Sequence, residues 1–147
     1  MDLTNKVVVA VITHDHTRIW TTDMKQGHDP ELVDIQQALR HAHVRQAQEH
    51  HGHDTSQYDI QYFEELATDL LPAAEILLIG HGKGKGNYML QFVHHVEEKH
   101  PDVFKKIIGT LDENIQALTE QQILEVARHW FSQWYGMPVH YWEAIAH

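Results

Sequence analysis

The sequence predicts an α/β fold, a mixed five-stranded sheet with helices on its faces in the order β-β-β-α-β-α-β-α. Three observations predict it. Lys6 to Thr13, KVVVAVIT, is an unbroken run rich in β-branched residues, the signature of a strand covered on both faces. A second apolar run, Glu75 to Ile79 (EILLI), lies between two segments of helical periodicity. Strands that alternate with helices pair in parallel through right-handed crossovers. The length, 147 residues, suits a single core.

The elements follow in order. After the first strand, His14-Asp15-His16 turns the chain, and Thr17 to Thr22 (TRIWTT) alternates as the second strand of a hairpin. Gly27-His28-Asp29-Pro30 is a further turn. Glu31 to Gln36 (ELVDIQ) reads as a third strand, with a helix running on through Leu39 as the alternative. Arg40 to Gln57 is nearly free of apolar residues and reads as a long exposed loop. Tyr58, Ile60, Tyr62, Phe63, Leu66, Leu70 and Leu71 then recur at helical spacing, and Pro72 closes that helix. Beyond the EILLI strand comes the loop Gly80 to Gly86 (GHGKGKG), a helix over Tyr88 to Lys99 and a stop at His100-Pro101. Lys106 to Leu111 is the last strand. Thr119 to Trp134 is the last helix, opened by the capping-box pair Thr119 and Gln122. Three strands in an antiparallel meander, then helix–strand–helix–strand–helix, is an order that fits the ribonuclease H-like group. Residues 1–134 are expected to form one such domain, with 135–147 an aromatic extension that packs back or joins a partner, a homodimer among the options.

Composition excludes several function classes. Zero Cys removes disulfides, zinc–thiolate sites, iron–sulfur clusters and a Cys nucleophile. No run approaches a membrane span, and the start MDLTNK lacks the regions of a signal peptide, so a cytoplasmic protein is expected. A formal charge of −10 argues against coating nucleic acid through bulk positive charge, though not against a local basic patch. Two-metal phosphodiester cleavage needs converging carboxylates. The first strand holds none, the EILLI strand ends Ile79-Gly80-His81, and Glu64, Glu65 and Asp69 read as a solvated helix face. No Ser–His–Asp arrangement can be inferred, so no catalytic residue is assigned.

Two segments carry anion chemistry. In the glycine loop, Gly80, Gly82, Gly84 and Gly86 alternate with His81, Lys83 and Lys85 just before a helix. Glycines admit a ligand to the backbone, and the helix start and two lysines attract negative charge. The loop matches neither GxxxxGK[ST] nor GxGxxG, so nucleotide hydrolysis is unsupported, no cofactor is expected, and a plain strand-to-helix turn is the bland reading. In the second segment, Arg40, His41, His43, Arg45, His50, His51 and His53 fall within 14 residues. Imidazoles can contact phosphate when protonated, stack on bases, or bind transition metals. Without a rigid frame for four ligands a metal site there is left unassigned. His14 and His16 could share a strand face. His94 and His95 are adjacent on a helix and diverge, as surface or groove residues.

The blocks VVVAVITHDHTRIW, YDIQYFEELA, EILLIGHGKGKGNYMLQFV and KIIGTLD resemble the middle domain of the archaeal and eukaryotic class-1 peptide-chain release factor and of its ribosome-rescue relative Pelota. The match looks closer still to small standalone bacterial translational machinery proteins, including the stretch Ala127-Arg128-His129-Trp130-Phe131. The resemblance spans Lys6 to Phe131 and implies a ribonuclease H-like fold. In the release factor the loop matching Arg40 to Gln57 carries Gly-Gly-Gln. Here it holds only Gly52, followed by His53-Asp54, so peptide release does not carry over. The resulting expectation is a non-catalytic RNA- or ribosome-associated domain. Its contacts would be Arg40, His41, His43, Arg45, His50 and His51, with Gly82, Lys83, Gly84 and Lys85 brought beside them. The alternatives are a His-rich transition-metal-binding protein and a small hydrolase without an identified nucleophile.

Overall fold

A computed structural model describes residues 3–14, 16–23, 35–42, 57–82 and 86–135. Strands β1 (Val7–Ile12), β2 (His16–Thr22), β3 (Ile35–Ala42), β4 (Glu75–Gly80) and β5 (Ile107–Asp112) lie in the order β3-β2-β1-β4-β5. β2 is antiparallel to both β1 and β3, whereas β4 is parallel to β1 and β5 to β4. The chain is thus a mixed α/β fold. β1 is central because its β-branched run buries both faces at once. Val8, Ala10 and Ile12 face helices α1 (Gln57–Leu70) and α2 (Tyr88–Lys99), with Phe63, Leu66, Phe92 and Val96 opposite. Val7, Val9 and Val11 face α4 (Glu120–Trp134) through Ile123, Ala127 and Phe131. A short α3 (Pro101–Phe104) and a 3-10 turn at Ile115–Ala117, neither expected from the sequence, flank β5. The capping box of α4 is present: Gln122 N donates to Thr119 Oγ1 at 3.1 Å, and Thr119 N to Gln122 Oε1 at 2.9 Å.

The third strand departs from the expectation. It runs over Ile35–Ala42 rather than Glu31 to Gln36, and the alternative helix through Leu39 is replaced by strand; residues 31–34 lie outside the described residues. Arg40 and His41 are therefore strand residues, not the start of the loop. The reason is pairing. β2 offers seven residues, and register from Thr22↔Ile35 to His16↔Ala42 extends β3 along all of them. Backbone bonds hold a strand at the end of a sheet whatever its side chains are, so polar residues are recruited. His16, expected in the turn, likewise opens β2. Ile60 and Leu71, read among the apolar positions of the first helix, are exposed, as are Leu90 and Trp134. Tyr135 stacks on Phe131 at 6.2 Å and donates to Glu75, while the rest of the aromatic extension, 136–147, lies outside the described residues.

One buried polar pair ties α1 to the hairpin. Thr17 is fully buried, and its Oγ1 shares a hydrogen bond with the Tyr62 hydroxyl. Burial pushes the Tyr62 phenol up to about 12, and the Thr17 contact opposes that rise. Because the folded value exceeds the ordinary value of 10.0, the protonated form is favoured in the fold. The associated stability is whole below pH 10 and declines as pH rises through 12. Tyr62→Phe is expected to cost about 1–2 kcal/mol in urea unfolding at neutral pH, by stranding the Thr17 hydroxyl. It should also remove a phenolate step near pH 12 from the ultraviolet titration. An unchanged titration would refute the assignment.

Candidate functional site

Strands β1, β4 and β5 run parallel, and their carboxyl ends share one edge of the sheet, the rim. β3 runs parallel to β1, since both are antiparallel to β2, so its last residue, Ala42, belongs to the same edge. At this edge His14 stacks on Tyr88 with ring centroids 4.7 Å apart, and its Nε2 donates to the Gly86 carbonyl at 3.4 Å. The β1–β2 turn and the glycine loop are thereby brought into contact. Gly82 has φ +117°, a left-handed conformation that favours glycine, and a Cβ there would meet the Gly86 carbonyl oxygen at 2.8 Å. Asn87 locks the turn twice: Nδ2 donates to the Gly82 carbonyl at 3.2 Å, and Oδ1 accepts from Leu90 N at 3.2 Å as the cap of α2.

Between these groups lies a cavity of about 300 Å³, lined by Ile12, Thr13, His14, Gly82, Tyr88 and Gln116 among others. It occupies the position, beyond the carboxyl ends of parallel strands, where open α/β sheets commonly take ligands. His81 also lines it, and its Nδ1 lies 2.9 Å from Asp112 Oδ1, which accepts from Gly82 N at 3.3 Å as well. Asp112 therefore orients His81 and places a carboxylate beside the rim. No carboxylate is among the described residues lining the cavity.

The expected contact residues fall unequally on this geometry. Arg40 and His41 lie near the end of β3, with Arg40 opposite Arg18 and His41 opposite Thr17 in the β2 register. Gly82 is on the rim. His43, Arg45, His50, His51, Lys83, Gly84 and Lys85 lie outside the described residues, as does Asp15. Their flanks are described. Ala42, at the rim, and Gln57, where α1 starts, bound the segment from residue 43 to 56. That helix runs from the rim, with Tyr62 at Thr17, to the opposite edge, where Asn5 N donates to the Pro72 carbonyl. Three strand spacings separate β3 from β4, about 14 Å.

A second constellation, on the outer side of the α1/α2 layer, escaped the sequence reading. Glu64 of α1 was read as solvated and His95 of α2 as a groove residue, yet they meet. Glu64 Oε2 accepts from His95 Nε2 at 2.6 Å and from His100 Nε2 as well. The side chain of His95 is only 13% exposed and packs on Phe63 at 5.6 Å, and the His100 ring lies 5.7 Å from that of His95. The hydrogen bond from His95, then that from His100, holds the Glu64 carboxyl below its ordinary range. The available signal was His-x4-His at a helix end followed by Pro101. The partner on α1 is set by helix packing alone.

No family model and no curated protein matches the chain in sequence. Among solved structures, Pelota from Archaeoglobus fulgidus is similar in fold, with a TM-score of 0.56 at 14% identity. The likeness covers 90% of this chain and 34% of that one, so the chain spans about a third of the length of that structure. Among the described residues no helix is long and apolar enough to cross a membrane.

Proposed function

We propose that the chain is a translation-associated, ribonuclease H-like domain that docks on RNA, with ribosomal RNA as the natural target class. The supporting observation is topological. The described flanks of the His/Arg-rich and Gly/Lys-rich segments, Ala42, Gln57, Gly82 and Gly86, belong to one edge, which supports this reading. The Pelota-like fold adds the translation context. The function proposed is docking; peptide release does not carry over, because no Gly-Gly-Gln occurs in the sequence.

Against a net charge of −10, attraction to phosphate must be local and short-ranged. Binding is expected to fall steeply with salt and to strengthen as histidines protonate near pH ~6.5. Co-sedimentation with ribosomes and titration of single-stranded RNA at pH 6 and 7.5 test this. Lys83→Ala/Lys85→Ala should lower the log–log salt slope by about 1.4–1.8, two phosphate contacts' worth. Absence of binding in low salt at both pH values would eliminate the proposal.

A further inference from the structure

We propose that Glu64, His95 and His100 form a binding site for a divalent transition ion, with Zn²⁺ as its best-suited occupant. The donor atoms, one carboxylate oxygen and two imidazole Nε2, lie within 4.8 Å of one another. Two imidazoles and a carboxylate form a ligand set that zinc accepts with a fourth position left open. Nitrogen donors select against Mg²⁺ and Ca²⁺, which take oxygen.

Two of the three ligands are held in place before any ion arrives. His95 sits against Phe63 in the groove between α1 and α2, mostly shielded. His100 ends α2 and begins α3: its N–H donates to the Val96 carbonyl at 2.8 Å, and its own carbonyl accepts from Val103 and Phe104 at 3.0 Å each. Pro101 follows at the first position of α3 and stiffens the junction. The third ligand can adjust. Glu64 is 48% exposed, and its ion-pair partners among the described residues are these two imidazoles. Tetrahedral zinc at about 2.0–2.2 Å from each donor needs donors about 3.3 Å apart, and the exposed Glu64 carboxylate has the freedom to adjust. Entry replaces the two Nε2–H···O hydrogen bonds with ligation: each neutral imidazole then presents its Nε2 lone pair to the ion and carries its proton on Nδ1. The bound ion then joins α1 to the α2–α3 junction.

The site lies away from the rim and uses none of the residues proposed for RNA, so either proposal can fail alone. The histidine-rich segment could capture metal by itself, and the test separates the two. Untagged protein is stripped with a chelator and titrated with Zn²⁺ against a chromophoric competitor, with thermal unfolding in parallel. Wild type should hold one tight equivalent and melt higher with zinc, and Mg²⁺ should do neither. Replacing His41, His43, His50, His51 and His53 by Gln should leave that equivalent intact. Glu64→Gln, nearly isosteric on an exposed helix face, and His95→Gln should each weaken it by about 100-fold or more and abolish the zinc-dependent rise in melting temperature. Circular dichroism without metal checks that both variants fold; His100→Gln replaces any that does not. Retention of the tight equivalent in both Glu64→Gln and a folded histidine variant, its loss in the Gln-substituted segment, or absence of any tight equivalent would overturn the assignment.

Discussion

Gly80→Ala should destabilise the fold by about 3 kcal/mol, the upper end of what overpacking costs, and lower the melting temperature by roughly 6–12 °C. A Cβ on Gly80 would lie 2.4 Å from the Met89 Cβ and 2.9 Å from Asn87 Oδ1. The Met89 atom is fixed to the backbone of α2, so relief requires the helix to move away from β4 rather than a side chain to rotate. Asn87 and Tyr88 would move with it, and they close the glycine turn and one wall of the cavity. RNA binding should therefore weaken under conditions where the variant is still folded. Gly86→Ala is the control. Nothing lies within 4 Å of its added Cβ and its φ is not positive, so its effect should stay within about 0.5 kcal/mol. Equal effects of the two substitutions in urea unfolding would show that α2 does not press on the end of β4.

Phe131→Ala should cost about 3–5 kcal/mol, a large part of the 5–15 kcal/mol that domains commonly possess. Phe131 is completely buried and lies in the core layer that joins α4 to the odd-numbered side chains of β1. Its ring meets Trp130 edge-on at 5.7 Å and stacks with Tyr135 at 6.2 Å, so truncation loosens both neighbours as well as opening a cavity. Phe131→Leu should recover more than half of the loss, because most of the volume returns. Trp134→Ala, in the same turn but half exposed, should cost under about 1 kcal/mol. A midpoint unchanged by Phe131→Ala would mean that α4 is not part of the cooperative unit.

Where burial on both faces dominates, the sequence carried the information plainly. KVVVAVIT and EILLI read as buried strands and prove to be β1 and β4, and the helical periods of α1, α2 and α4 show where they lie. The third strand was placed too early because a strand paired mainly through its backbone need not advertise itself in its side chains. The two meeting points of function were legible to different degrees. The glycine loop is contiguous, so its chemistry can be read locally. The Glu64–His95–His100 set joins residues 31 and 36 positions apart, and nothing in a one-dimensional pattern pairs them.

The sequence by itself determined the alternation of strands and helices, the caps and the acidic body, because propensity, periodicity and charge are properties of neighbours along the chain. Only the tertiary structure decided that His14 meets Gly86, that Asp112 orients His81, and that Trp130 occupies the space a Cβ on Gly109 would take, at 2.3 Å. Those are contacts between distant segments, fixed by strand order and by how two helices pack on one sheet face. Packing acts on shape in three dimensions, and that shape comes into existence only when the elements have docked.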